Sequence, residues 1–117
     1  MTTGTRRLLL DVLRSCQMIR RYTVGVAFAA DERDDLVRDA VERRLAIIGE
    51  ALNKAAGRDP AIVQAIPELR QIVGARNRLI HNYDAIDDQI VWEIVQDKLP
   101  LLEAGIEALL DREPASD

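Results

Sequence analysis

The chain is poor in cysteine, histidine and aromatic rings, and each shortage excludes something. One cysteine among 117 residues, Cys16, excludes an intramolecular disulfide and fits a reducing compartment. It lies within an apolar helical pattern, so it reads as a small buried hydrophobe rather than a nucleophile. Aromatic residues make up 3%, while Leu, Ile, Val and Ala dominate, which favours packed helices over an aromatic-rich sheet. No apolar run approaches the roughly 20 residues of a membrane span. The leucine triplet at 8–10 is interrupted by Asp11 and Arg14, so neither a membrane anchor nor a signal-peptide apolar region is expected. The expected location is the cytoplasm. Repeats and low-complexity tracts are absent.

What is present reads as one globular domain over residues 1–117. Hydrophobic residues make up 48% and charged residues 31%, enough of each for a core and a solvated surface. Leu9, Leu13, Cys16 and Ile19 form one helical stripe over 5–22. Gly25 and the small residues up to Ala30 end it. Asp31 is a candidate N-cap, with Asp34 and Asp35 in a first turn where acids meet the helix dipole. Val37, Val41, Ile48, Leu52 and Ala55 carry that helix to Gly57. Asp59-Pro60 opens a short helix or turn to Ile66. Pro67 suits the first position of the next helix, which runs through Leu69, Ile72, Val73, Leu79 and Ile80 to about Asn82. Tyr83 to Ala85 form a short loop, and Asp87 can cap the last helix. That helix presents Ile90, Val91, Ile94, Val95, Leu99, Leu102, Ile106, Leu109 and Leu110. Pro100 falls inside it and should kink it, having no amide hydrogen to donate. Residues 113–117 form a frayed tail. Sustained period-two alternation is absent, so the expected fold is all-α, an up-and-down bundle of four main helices and a short fifth.

The net charge of −4 is unevenly spread. Residues 1–22 carry +4, residues 23–69 carry −3 and residues 84–117 carry −8. Residues 70–83 carry Arg70, Arg76 and Arg78 with no acid. A domain that coats duplex DNA is usually basic throughout, so DNA is not an expected partner. Anions could be held only locally, where the first and third segments meet, with Arg20 and Arg21 able to widen that path. Solvated faces are the plain alternative.

The third segment contains RNRLIHNY, residues 76–83, with the chain's only histidine, His81. Arg76 and His81 are five apart, about 140° around an ideal helix. Asn77 and His81 are four apart and share a face. Arg76 and Tyr83 also align if the helix continues. Arginine offers always-charged planar donors matched to phosphate oxygens. Histidine exchanges a proton near neutral pH. RNA brings its own nucleophile, the 2′-hydroxyl, so cleavage needs a base, an acid and charge stabilisation at phosphorus. One histidine per chain cannot serve as both base and acid at once, but a two-fold dimer would supply two. No carboxylate or His/Cys ligand set accompanies the segment, so metal-independent chemistry is expected. On spacing alone the catalytic signal is weak, and a histidine near a helix end is more often a capping or satisfied structural group.

Taken with its surroundings, the segment resembles the signature of the HEPN superfamily in its HepT-like toxin branch: arginine, four residues, histidine, one residue, tyrosine. Asp39-Ala40-Val41-Glu42-Arg43 with Ile48-Gly49-Glu50-Ala51 is similar to the branch's central helix. Ile66-Pro67 and Ile72-Val73-Gly74-Ala75-Arg76-Asn77 resemble its approach to the motif. Asp84 to Asp87, Val91-Trp92 and Leu99-Pro100 resemble its closing helix. The likeness spans roughly residues 8–110. It implies a homodimer with the motif at the subunit interface, acting as a metal-independent endoribonuclease on tRNA or mRNA without a cofactor. It also implies the toxin role in a type VII-like toxin–antitoxin system. The antitoxin would be a minimal nucleotidyltransferase that transfers AMP to Tyr83. Arg76 and His81 would be the catalytic pair and Asn77 a supporting residue that orients phosphate or imidazole. Gly49 would permit close helix approach, and Trp92 would anchor the core or an interface. The competing reading is a non-catalytic, nucleotide-binding or scaffolding partner of a nucleotidyltransferase.

Overall fold

A computed structural model describes residues 1–25, 35–81 and 88–113, with the backbone alone for Ile80, His81 and Asp88. Helix α1 spans Thr3–Thr23, α2 Asp35–Arg58, α3 Ala61–Ala65 and α4 Leu69–His81. The last stretch runs as α5 (Asp88–Glu93), a π-helical turn (Ile94–Lys98) and α6 (Leu99–Arg112). The described residues contain no strand. Among the described residues the fold is the expected all-α bundle of four main helical stretches and one short helix. The expected caps at Asp31 and Asp87, the small-residue stretch to Ala30, the loop from Tyr83 to Ala85 and the tail beyond Glu113 lie outside the described residues.

Helix α1 begins earlier than its apolar stripe suggests because Thr2 caps it. The Thr2 hydroxyl oxygen accepts the Thr5 amide at 3.2 Å, satisfying one of the free donors of the first turn. At the other end the Thr23 hydroxyl donates to the Ile19 carbonyl at 2.8 Å. Gly25 follows at φ 73°, in the left-handed region where a glycine carries no Cβ penalty. The buried stripe is Leu9, Val12, Cys16 and Ile19. Leu13, expected in it, is only half-buried against the core, because spacings of three, four and three hold a straighter line along the helix.

Helix α2 contributes Val41, Leu45, Ile48, Leu52 and Ala55 to the core. It passes through Gly57 to Arg58 instead of stopping at the glycine. Asp59 then receives the Ala61 amide at 3.3 Å and opens α3. Pro67 does not begin α4. It sits in the turn before it, and the Glu68 carbonyl accepts the Ile72 amide at 3.1 Å, so the helix proper starts at Leu69. Leu69, Ile72 and Ala75 are buried, whereas Val73 and Leu79 are only partly so.

Pro100 disturbs the closing helix where the sequence predicts, in the form of a widened turn. The Leu99 amide donates to the Ile94 carbonyl, five residues back, and α6 restarts with the proline in its first turn. A π turn accommodates the missing donor and the ring's clash with the preceding carbonyl. Ile90, expected in the stripe, is 40% exposed, while Leu102 and Ile106 are fully buried. Trp92 is half-buried.

Helix α1 packs along α2, α2 against α4, and α1 against α6. One hydrophobic cluster draws on all of them, and each fully buried Leu or Ile contributes about 1.5–3 kcal/mol. Two polar contacts tie α1 to the chain's far end. The Arg6 guanidinium donates to the carbonyls of Leu110 at 3.1 Å and Glu113 at 3.2 Å, capping α6. Arg20 pairs with Glu103. No helix among the described residues is long and apolar enough to cross a membrane.

Cys16 lies at the floor of a cleft of about 280 Å³ between α1 and the π turn, which Arg20, Gln96 and Glu103 also line. Burial, reinforced by the Glu103 carboxylate, pushes its thiol up to about 12 from 9.0. Such a group is not a nucleophile at neutral pH. In the unfolded chain the thiol ionises near its ordinary value, so between about 9 and 12 the folded state holds the extra proton. Cys16 therefore lowers stability as pH rises through that window. A thiol reagent at pH 8 should label the native chain only as fast as it opens and the urea-unfolded chain at once; immediate labelling of native protein would contradict this burial.

Candidate active site on helix α4

Helix α4 carries Arg70, Arg76 and Arg78 and no acid. Arg70 and Arg78 are exposed, whereas Arg76 is half-buried. The difference has a local cause. Arg76 lies against α2 where that helix has Gly49. A β-carbon built on Gly49 would fall 2.3 Å from Cβ of Arg76, 2.5 Å from its Cγ and 3.3 Å from its Cδ. The first two are well inside any real carbon–carbon contact, so α4 can take this position only over a glycine. Gly49 thus permits the close approach expected of it, and the group that approaches is the arginine stem of the RNRLIHNY segment.

The packing encloses the near end of the guanidinium. Nε of Arg76 is buried and has no hydrogen-bond partner among the described residues. The far end reaches the surface, where Nη1 donates to Oδ1 of Asn77 at 2.9 Å. No carboxylate among the described residues forms an ion pair with Arg76. Glu50, next to Gly49, is paired with Lys54 at 3.4 Å on the exposed face of α2. Arg76 therefore keeps a full positive charge with an outward donor edge, the form that meets a phosphate oxygen.

The supporting residue Asn77 was expected to orient phosphate or imidazole. In the structure its side-chain oxygen holds Arg76, and the rest of the side chain is exposed. The helical backbone runs through His81, so the four-residue relation of Asn77 and His81 holds along the helix. His81 is the last described residue of α4, about one turn and a half beyond Arg76. Its imidazole, and all of Tyr83, lie outside the described residues. Of the four sequence-predicted residues, the described structure joins Arg76 to Asn77 and sets His81 on the same helix.

Arg20, expected to widen a phosphate path, is engaged by Glu103. Arg6 is committed to the α6 carbonyls. Two of the five arginines in residues 1–22 therefore already have partners, which leaves the acid-free α4 as the more open cationic feature. The Arg20–Glu103 pair joins residues 83 apart, a separation that no local pattern announces.

Comparison with known proteins agrees with this frame. The family model described as Ribonuclease HepT-like matches residues 12–109. "Putative RNase TTE0752" of Caldanaerobacter subterraneus subsp. tengcongensis is 29% identical over 108 residues, covering 92% of this chain and 96% of that protein. "Putative RNase MJ1380" of Methanocaldococcus jannaschii is 32% identical over 101 residues, 85% of this chain and 90% of its own. "Probable ribonuclease HepT" of Thermococcus cleftensis is 30% identical over 101 residues, 86% and 91% of the two chains. No solved structure gives a significant match. The match spans most of the bundle and includes α4 with its arginine–histidine segment, and the chain belongs to the ribonuclease HepT-like family.

Proposed function

We propose that the protein is a metal-independent endoribonuclease that cuts tRNA or mRNA in a cleft between two copies of the chain, and that it serves as the toxin of a cytoplasmic toxin–antitoxin pair. The observation that carries this reading is the stem-anchored guanidinium of Arg76, which has no ion pair among the described residues, on the helix that carries His81, in a chain of the ribonuclease HepT-like family. The whole chain acts as one domain.

The chemistry follows from the residue types. His81 of one subunit takes the proton of a ribose 2′-hydroxyl. The freed oxygen attacks the adjacent phosphorus, and the phosphoryl group gains negative charge in the transition state. Arg76 places its Nη edge against that charge. His81 of the other subunit gives a proton to the departing 5′-oxygen. The products are a 2′,3′-cyclic phosphate and a 5′-hydroxyl. The −8 charge of residues 84–117 opposes a long phosphate backbone, which favours a substrate gripped only around the cut.

Neutralisation would come from a minimal nucleotidyltransferase that adds AMP to Tyr83. An adenylyl group two residues from His81 brings a negative phosphate and a base to the cleft, where it competes for Arg76 and blocks entry.

Purified protein with EDTA and total tRNA should cleave, and Arg76→Ala and His81→Ala should each lower the rate by about 10²-fold or more. Equal cleavage by wild type and His81→Ala would overturn the nuclease reading. Tight ATP binding without cleavage would favour the scaffolding alternative. In a second test, co-expression with the cognate nucleotidyltransferase should add the mass of one or more AMP units. The addition should disappear in Tyr83→Phe; its persistence there would remove Tyr83 from the account.

A further inference from the structure

We infer that Gly49 is a positioning residue for RNA cleavage: the missing side chain on α2 lets α4 seat the Arg76 stem, which aims the guanidinium at the scissile phosphate. The inference rests on the nuclease reading and adds a residue from another helix to it.

The argument begins with the cost of a glycine inside a helix. Gly49 is buried in the middle of α2, where glycine weakens a helix relative to alanine. Such a residue needs a compensating contact, and this one has it. A Cβ at 49 would stand 2.3 Å from the Cβ of Arg76, and the Cγ and Cδ of Arg76 continue across the same spot. The arginine stem occupies the room a side chain at 49 would need.

Relief by a rotamer change is not available. The nearest atom of Arg76 is its Cβ, which the α4 backbone fixes. Introducing a methyl group at 49 must therefore push the two helices apart locally, by at least about 0.7 Å to reach the 3.0 Å floor of real contacts. A displacement on the order of 1 Å at a reacting group costs on the order of 10²-fold in rate. The enclosure of Nε has the same origin. With Nε buried and Nη1 on Asn77, the guanidinium is partly ordered before substrate arrives. Part of the ordering of a long side chain is thereby complete on folding.

Other glycines supply the contrast. Nothing lies within 4 Å of a β-carbon built on Gly57, on the same helix, or on Gly74, on α4.

The test uses the full chain and five variants: Gly49→Ala, Gly57→Ala, Arg76→Ala, Arg76→Gly and the Gly49→Ala/Arg76→Gly double. Gly49→Ala should lower single-turnover cleavage by about 10²-fold with little change in KM, while Gly57→Ala leaves it unchanged. In the Arg76→Gly background, where the clashing Cβ is gone, Gly49→Ala should cost less than about threefold more, because residues acting as a unit are not additive. Near-wild-type cleavage by Gly49→Ala overturns the inference and leaves the nuclease reading standing. So does an equal loss in both backgrounds, or a loss of the same size in Gly57→Ala. Full cleavage by Arg76→Ala instead removes the nuclease reading itself. A readout independent of catalysis is the Nε–H resonance of Arg76 by NMR, identified by its absence in Arg76→Lys. In wild type it should exchange with solvent at least about tenfold more slowly than in a free arginine, because the atom is enclosed. Exchange as fast as in a free arginine overturns the inference even if Gly49→Ala fails to fold.

Discussion

The contact between Gly49 of α2 and the stem of Arg76 of α4 sets how closely these two helices pack. A backbone with no side chain receives a long cationic one, and the distances leave no room for even a methyl group. The core on either side, Leu45, Ile48 and Leu52 facing Leu69, Ile72 and Ala75, holds the two helices at that separation. Packing of this density transmits small displacements instead of absorbing them. The position of the Arg76 guanidinium is therefore a property of the bundle, and the chemistry proposed for it depends on α2 as well as on α4.

Electrostatics reinforce the same point. The chain is acidic overall, yet its α4 segment has no acid, and part of the N-terminal basic charge is spent internally. Arg6 caps α6 and Arg20 pairs with Glu103. An exposed pair of this kind adds little stability, so its main consequence is to withdraw a cation from the surface. The acid-free α4 segment stays a short cationic feature on a chain that is acidic overall, suited to one phosphate rather than to a long strand.

Much of this was legible in the sequence. Helical periodicity with no alternating segment gave the bundle, and Pro100 marked the fault in the last helix. The form of that fault was not legible, because a five-residue hydrogen bond from Leu99 to Ile94 is one of several ways to accommodate a proline. The choice of Val12 over Leu13, and the exposure of Ile90, depend on which way each helix rotates against its neighbours, and periodicity leaves that rotation free by a residue. Thr2 was missed as a cap because the apolar stripe begins later than the helix. Gly49 was readable as a point of close approach, but nothing local said what would approach it. The paired state of Arg20 needed a partner 83 residues away. The roles given to His81 and Tyr83 come from the family likeness, since residue types and spacing alone favoured a capping or structural histidine.

In the proposed reaction Arg76 acts as a positioned, forked donor and not simply as a positive charge. Single-turnover RNA cleavage by Arg76→Lys tests it most directly. Lysine keeps the charge but lacks both the planar fork and the enclosed Nε, so the account predicts a loss comparable to that of complete truncation, about 10²-fold. Cleavage by the lysine variant within a few-fold of wild type would contradict it.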